Sequence, residues 1–229
     1  MMIFSPKYGM LPMMEQSRAS NEKKGRGAMV TTERRGYIQP ATPADWVSGP
    51  PQGQWTYREY AALPDDGNRY EVLCGVLYMA PSPGQWHQEA SILISHYLLV
   101  AVQLAGLGKV YAAPFDVILN PKTTVQPDVL VVLKEHLDRV TTEGVFGAPD
   151  LVIEIASPST ARHDLREKYD AYAAAGVPEY WIVTPSEHTV ELFVLEDGTY
   201  NSLGIYYGPA VLPSQIIPNL NVKVEQFFS

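Results

Sequence analysis

The sequence predicts an α/β domain built on a central mixed β-sheet flanked by helices. Three observations predict it. Two short runs, 128–133 and 151–156, are almost wholly apolar, as strands covered on both faces must be. Two longer segments, 85–106 and 159–175, carry helical patterns and stop at Gly106 and Gly176. Alternating runs near each end of the domain add an N-terminal and a C-terminal β-hairpin.

The elements follow in chain order. Thr56 and Glu59 form a capping box for a short helix through Tyr60, which stops at Pro64. Residues 70–80 alternate as a strand pair turned near Gly75. Residues 85–106 contain Ile92, Leu93, Leu98, Leu99, Val102 and Leu104. His87, Glu89, His96 and Gln103 interrupt them, so this is a buried core helix and not a membrane span, which needs about 18–20 apolar residues. Residues 109–113 and 115–119 are one bent strand, or a pair broken by Pro114. The strands 128–133 and 151–156 follow. Ser159 or Thr160 caps the next helix, and 179–184 is a further strand. Residues 189–195 and 200–207 form a hairpin around Asp197-Gly198. The core order is therefore helix, strand, strand, strand, helix, strand.

The chain has 229 residues and is 46% hydrophobic, so it can bury a core without staples. Residues 1–54 lack periodicity and read as a flexible basic tail, or as a basic arm that touches DNA; 55–229 is the domain. Met29 is a second candidate start, and 1–14 lacks the sustained apolar run of a secretory signal. The net charge is −8. Residues 1–40 hold seven Lys/Arg and three Glu, which leaves a balance of −12 in 41–229. That excludes a broad basic surface coating nucleic acid; any such activity must be local. A single cysteine, Cys74, excludes an intramolecular disulfide and suits a reducing, cytoplasmic compartment. Cys74 itself reads as core.

The chemistry centres on Glu154. It interrupts the apolar run Leu-Val-Ile-Glu-Ile-Ala. A carboxylate there is costly unless paired, hydrogen-bonded or bound to a cation, so it marks either a site or a structural ion pair. A hard divalent cation needs a second carboxylate. Asp128 and Asp150 each follow a proline. Asp150 lies four residues from Glu154 on one strand, about 13 Å away, too far to share an ion. Asp128 begins another strand, and neighbouring strands are about 5 Å apart. Asp128 with Glu154 is the plausible pair, with a turn role the alternative for Asp128 and the favoured role for Asp150.

Lys168 supplies a cation. It sits at the edge of the stripe Ala161, Leu165, Tyr169, Tyr172, where it either reaches toward the sheet or pairs with Asp164 on the helix surface. The free N–H groups at the start of this helix favour an anion such as phosphate, and Arg162, His163 and Arg166 add charge there. His87 is a helix-capping residue or a pocket residue. Glu71 is a third acidic ligand or an exposed strand residue. No zinc spacing, phosphate-binding glycine loop or serine-nucleophile elbow occurs.

From Tyr70 to Thr184 the chain resembles the Uma2 family of restriction-endonuclease-like proteins. The carriers are Tyr70-Glu71-Val with Gly75, Pro81-Ser82-Pro83 with His87, and Val125-Gln126-Pro127-Asp128. They continue through Gly147-Ala148-Pro149-Asp150-Leu-Val-Ile-Glu154, Ser157-Pro158-Ser159, Asp164…Lys168…Tyr172, and Gly176-Val177-Pro178-Glu179-Tyr180-Trp181. The resemblance implies a restriction-endonuclease-like fold of bacterial type and a PD-(D/E)xK nuclease site. Asp128 matches its first acid and Glu154 its second. Ala156 stands where the pattern places its lysine, and Lys168 is the implied substitute. Mg²⁺ or Mn²⁺ would be held by Asp128, Glu154 and the Ile155 carbonyl, with Glu71 as a further ligand. Gln126, His87, Asp164 and Tyr172 would line the pocket. The expected function is metal-dependent hydrolysis of DNA by a homodimer without membrane contact. The rival is a degenerate module of the same fold, binding nucleic acid or protein as an oligomer, with the apolar 216–228 segment as an interface.

Overall fold

The computed structural model describes residues 42–156 and 164–228, with side chains left aside at 164–166. Their strands fall into two six-stranded sheets.

The first sheet has the order β1 (Thr42–Pro43), β3 (Val76–Ala80), β2 (Arg69–Leu73), β6 (Thr123–Val125), β5 (Val117–Asn120), β8 (Val145–Phe146). The hairpin β2–β3 turns at Cys74 and Gly75, both with positive φ (51° and 81°), as a tight two-residue turn requires. Cys74 is thus exposed at a turn tip and not in the core: the turn geometry overrides the preference of a cysteine for burial. The strand β1 pairs with β3, and Ala44 and Trp55 are buried against Val72 and Leu77. The packed structure therefore includes 42–54, inside the segment assigned to the tail. Residues 1–41 lie outside the described residues.

The second sheet has the order β12 (Thr199–Tyr207), β11 (Thr189–Glu196), β10 (Glu179–Thr184), β9 (Leu151–Ile155), β7 (Val129–Leu133), β4 (Gly108–Ala112). Only β9–β10 is parallel; its crossover carries helix α3 (Asp164–Ala175), and the other neighbours are antiparallel. The expected break at Pro114 separates β4 from β5, which enter different sheets. The capping box at Thr56–Glu59 is present on α1 (Tyr57–Tyr60). The expected caps Ser159 and Thr160 lie outside the described residues.

Helix α2 (Gln85–Leu98) runs into a π-helical turn, Leu99–Leu104. It covers one face of the second sheet through Ala90, Ile94, Leu98 and Val102. Its other face leaves Ile92, Leu99, Val100 and Leu104 exposed, so the helix is half-buried and not enclosed. On the same side of the sheet, Ile217, Leu220, Val222, Val224 and Phe227 are buried in the chain's own core. The C-terminal apolar residues are therefore largely consumed by intramolecular packing. Helix α3 covers the opposite face, where Tyr172, Tyr180, Phe193 and Tyr200 form an aromatic cluster. Among the described residues no helix is long and apolar enough to cross a membrane.

Candidate active site

Strand register brings the two acids together. Val129 of β7 pairs with Ile153 of β9 in antiparallel register. Asp128 precedes Val129 and Glu154 follows Ile153, so the two carboxylates occupy opposing positions on one face. That face is the one covered by α3, because Val129 and Ile153 point into the α2 side. Both acids are buried.

Each acid has a supporting set. Asp128 Oδ2 accepts the backbone N–H of Ile155 at 2.8 Å and lies 3.0 Å from His87 Nε2. A carboxylate only accepts, so Nε2 carries the proton in that contact. The other ring nitrogen, Nδ1, is buried and has no hydrogen-bond partner among the described residues. His87 thus lies in the first turn of α2 and reaches the Asp128 carboxylate.

Glu154 Oε1 accepts the Tyr172 hydroxyl at 2.6 Å and the Lys168 ammonium at 3.2 Å. The same ammonium lies 2.9 Å from Glu71 Oε1, which also accepts the backbone N–H of Gln126 at 2.7 Å. Lys168 therefore reaches the sheet and bridges two buried carboxylates. The side chain of Asp164, its alternative partner, lies outside the described set. Glu71 is buried and not exposed: its strand faces α3.

The electrostatics follow from burial. Burial raises the Glu154 carboxyl to a pKa of about 7; Lys168 opposes the rise, and Asp128 and Glu71 reinforce it. Burial works against the Lys168 charge, but Glu154 and Glu71 outweigh it and hold the ammonium above its ordinary pKa. Lys168 is a fixed cation and a poor proton acceptor. The Tyr172 phenol is raised by burial and by Glu154, so it stays a donor.

Asp150 serves elsewhere. Its oxygens accept the Leu133 N–H and meet His136 Nδ1, each at 2.7 Å, which ties β9 to the end of β7. Gln126 joins Glu71 to three side chains that the sequence did not mark for the site, Arg69, Asp116 and Tyr60. Gln126 Oε1 accepts from Arg69 Nε at 3.1 Å, and its amide nitrogen donates to Asp116 Oδ1 at 2.8 Å and to the Tyr60 hydroxyl at 3.1 Å. The sequence signal for Arg69 was its spacing of two from Glu71, which puts both on one face of β2.

A hard divalent cation fits these donors. Among the described residues no three His, Cys, Asp or Glu side chains form a metal cage. Two opposed carboxylates remain, and Asp128 Oδ1 and Glu154 Oε2 accept no hydrogen bond among the described residues. An N–H and C=O of one strand residue point the same way, so the Ile155 carbonyl also faces the Asp128 side. Mg²⁺ is commonly held by one or two carboxylates and completed by water and substrate phosphate, which this sparse oxygen set matches.

The Uma2 family model, described as "Putative restriction endonuclease", matches residues 57–225. A crystal structure from Anabaena variabilis, described as "a putative nuclease belonging to DUF820", superposes with a TM-score of 0.64 at 18% identity. The match covers 75% of this chain and 96% of that one, and shows a common fold. No curated protein matches the chain.

Proposed function

Because this chain belongs to the Uma2 family, we propose that it is a nuclease that hydrolyses phosphodiester bonds of DNA with Mg²⁺ or Mn²⁺. The observation that carries this reading is the opposition of Asp128 and Glu154 with Lys168 bound to Glu154. Asp128, Glu154 and the Ile155 carbonyl would hold the cation. When bound, that ion would offset charge on the attacking and leaving oxygens and lower the pKa of a coordinated water.

The protein's own groups do the rest. Lys168 keeps its proton, so it orients the attacking water beside Glu154; it is not the base. His87 fixes the Asp128 carboxylate, and Tyr172 fixes that of Glu154. Glu71 holds the same Lys168 ammonium. Cleavage of supercoiled DNA with Mg²⁺ or Mn²⁺ tests the reading. Activity in the wild type and its loss in Asp128→Ala and Glu154→Ala are expected; undiminished cutting by the double variant overturns the assignment.

One observation favours a second reading, a module that keeps the fold without the reaction: Ala156 stands where the nuclease pattern places its lysine. Calorimetry separates the two, since a degenerate site takes up no Mg²⁺ at millimolar concentration.

A further inference from the structure

We infer that Arg69, held by Gln126, is a phosphate-binding residue that seats the nucleic-acid backbone beside the acidic site. The inference rests on the nuclease reading and adds a subsite to it.

Electrostatics favour such a residue beside the ion that the acids would hold. Glu71, Asp128 and Glu154 concentrate negative charge in a domain that is itself strongly acidic. A polyanion approaching them gains from every cation that meets it, and a side-chain cation that is not already paired adds to the ion's attraction. Lys168 does not, because both Glu71 and Glu154 already engage it.

Arg69 differs. Among the described residues it makes no ion pair. Its guanidinium donates instead to two neutral acceptors of one residue: Nε to Gln126 Oε1 at 3.1 Å and Nη2 to the Gln126 carbonyl at 3.4 Å. The amide of Gln126 is oriented from its other end, where its nitrogen meets Asp116 and Tyr60. Gln126 thus stands between Arg69 and the Asp116 carboxylate, so the arginine is held in place while its charge is left uncancelled by direct contact. The remaining N–H groups of the planar fork suit a phosphate.

The position is suitable as well. Arg69 and Glu71 alternate on one face of β2, about 7 Å apart along the strand. Gln126 joins them, because its backbone N–H donates to Glu71 while its side chain and carbonyl hold Arg69. Arg69 is half-buried, so part of its side chain stays in contact with solvent.

The test is the salt dependence of binding to a short fluorescein-labelled DNA duplex, read by anisotropy with Ca²⁺ in place of Mg²⁺. Each phosphate contact contributes about 0.9 to the slope of log K against log salt. Arg69→Gln and Arg69→Met are expected to lower the slope by about that amount, and Arg69→Lys to keep it. Thermal melting identifies the folded variants, and one folded neutral variant suffices. An unchanged slope in that variant, beside a wild type that binds, overturns this inference alone. A wild type that binds no nucleic acid overturns the nuclease reading and this inference together.

Discussion

The Lys168 ammonium lies 3.2 Å from Glu154 Oε1 across the interface between α3 and β9. Fourteen residues separate the two in sequence. The contact places a fixed positive charge on an acid that the sheet has already buried. Glu71, on the other sheet, shares the same ammonium, so one lysine joins both sheets to the helix. Removing Lys168 leaves both buried carboxylates without their cation.

Lys168→Met is expected to destabilise the fold by about 3–5 kcal/mol, because Glu71 and Glu154 would both lose their cation. Urea denaturation measures it. Cleavage should be lost as well, and a Lys168→Met protein of wild-type stability would contradict the bridging role.

Asp128→Asn and Glu154→Gln keep the shape of the site but weaken its hold on a cation. DNA cleavage should fall by about 10²–10³-fold or more, the scale on which a transition-state charge stabiliser acts. Circular dichroism should show the folded state in both.

Glu154 predicts a pH effect on stability. Its folded pKa is raised to about 7 from 4.5. The folded state therefore binds the proton more tightly than the unfolded state. The resulting stability is fully present below pH 4.5 and is lost as pH rises to 7, on the order of a few kcal/mol. Denaturation in a chelator across this range should show a steeper loss in the wild type than in Glu154→Gln. Equal slopes would remove Glu154 as the titrating group.

Tyr172→Phe deletes a buried 2.6 Å hydrogen bond to Glu154. The expected cost is about 1–3 kcal/mol. Because that bond lowers the Glu154 pKa, the stability loss on raising pH should move to higher pH. Denaturation curves at several pH values report both effects.

Asp150→Ala separates structure from site. The Leu133 N–H and His136 lose their acceptor, for about 1–3 kcal/mol. Cleavage per folded molecule should stay at the wild-type rate. A collapse of activity at temperatures where the variant is folded would give Asp150 a functional role.

Local chemistry made much of this protein legible in its sequence. The apolar runs around Val129 and Ile153 specified central strands, because a strand covered on both faces has no place for polar residues. A carboxylate inside such a run stands out for the same reason, and the rise per residue excluded Asp150 as its partner. The Asp197-Gly198 turn fixed the C-terminal hairpin, since both residues take positive φ. What the sequence left open depended on contacts between distant segments. That Lys168 reaches the sheet depends in part on Glu71, 97 residues away. Burial of Glu71 required α3 to close over β2, and exposure of Cys74 followed from its place at the tip of the β2–β3 turn. The role of Arg69 appears only when Gln126 is brought 57 residues back to meet it. Periodicity and residue chemistry act locally and determine which elements form and which residues are costly to bury. Packing of the two sheets against α3 determines which charges those residues meet.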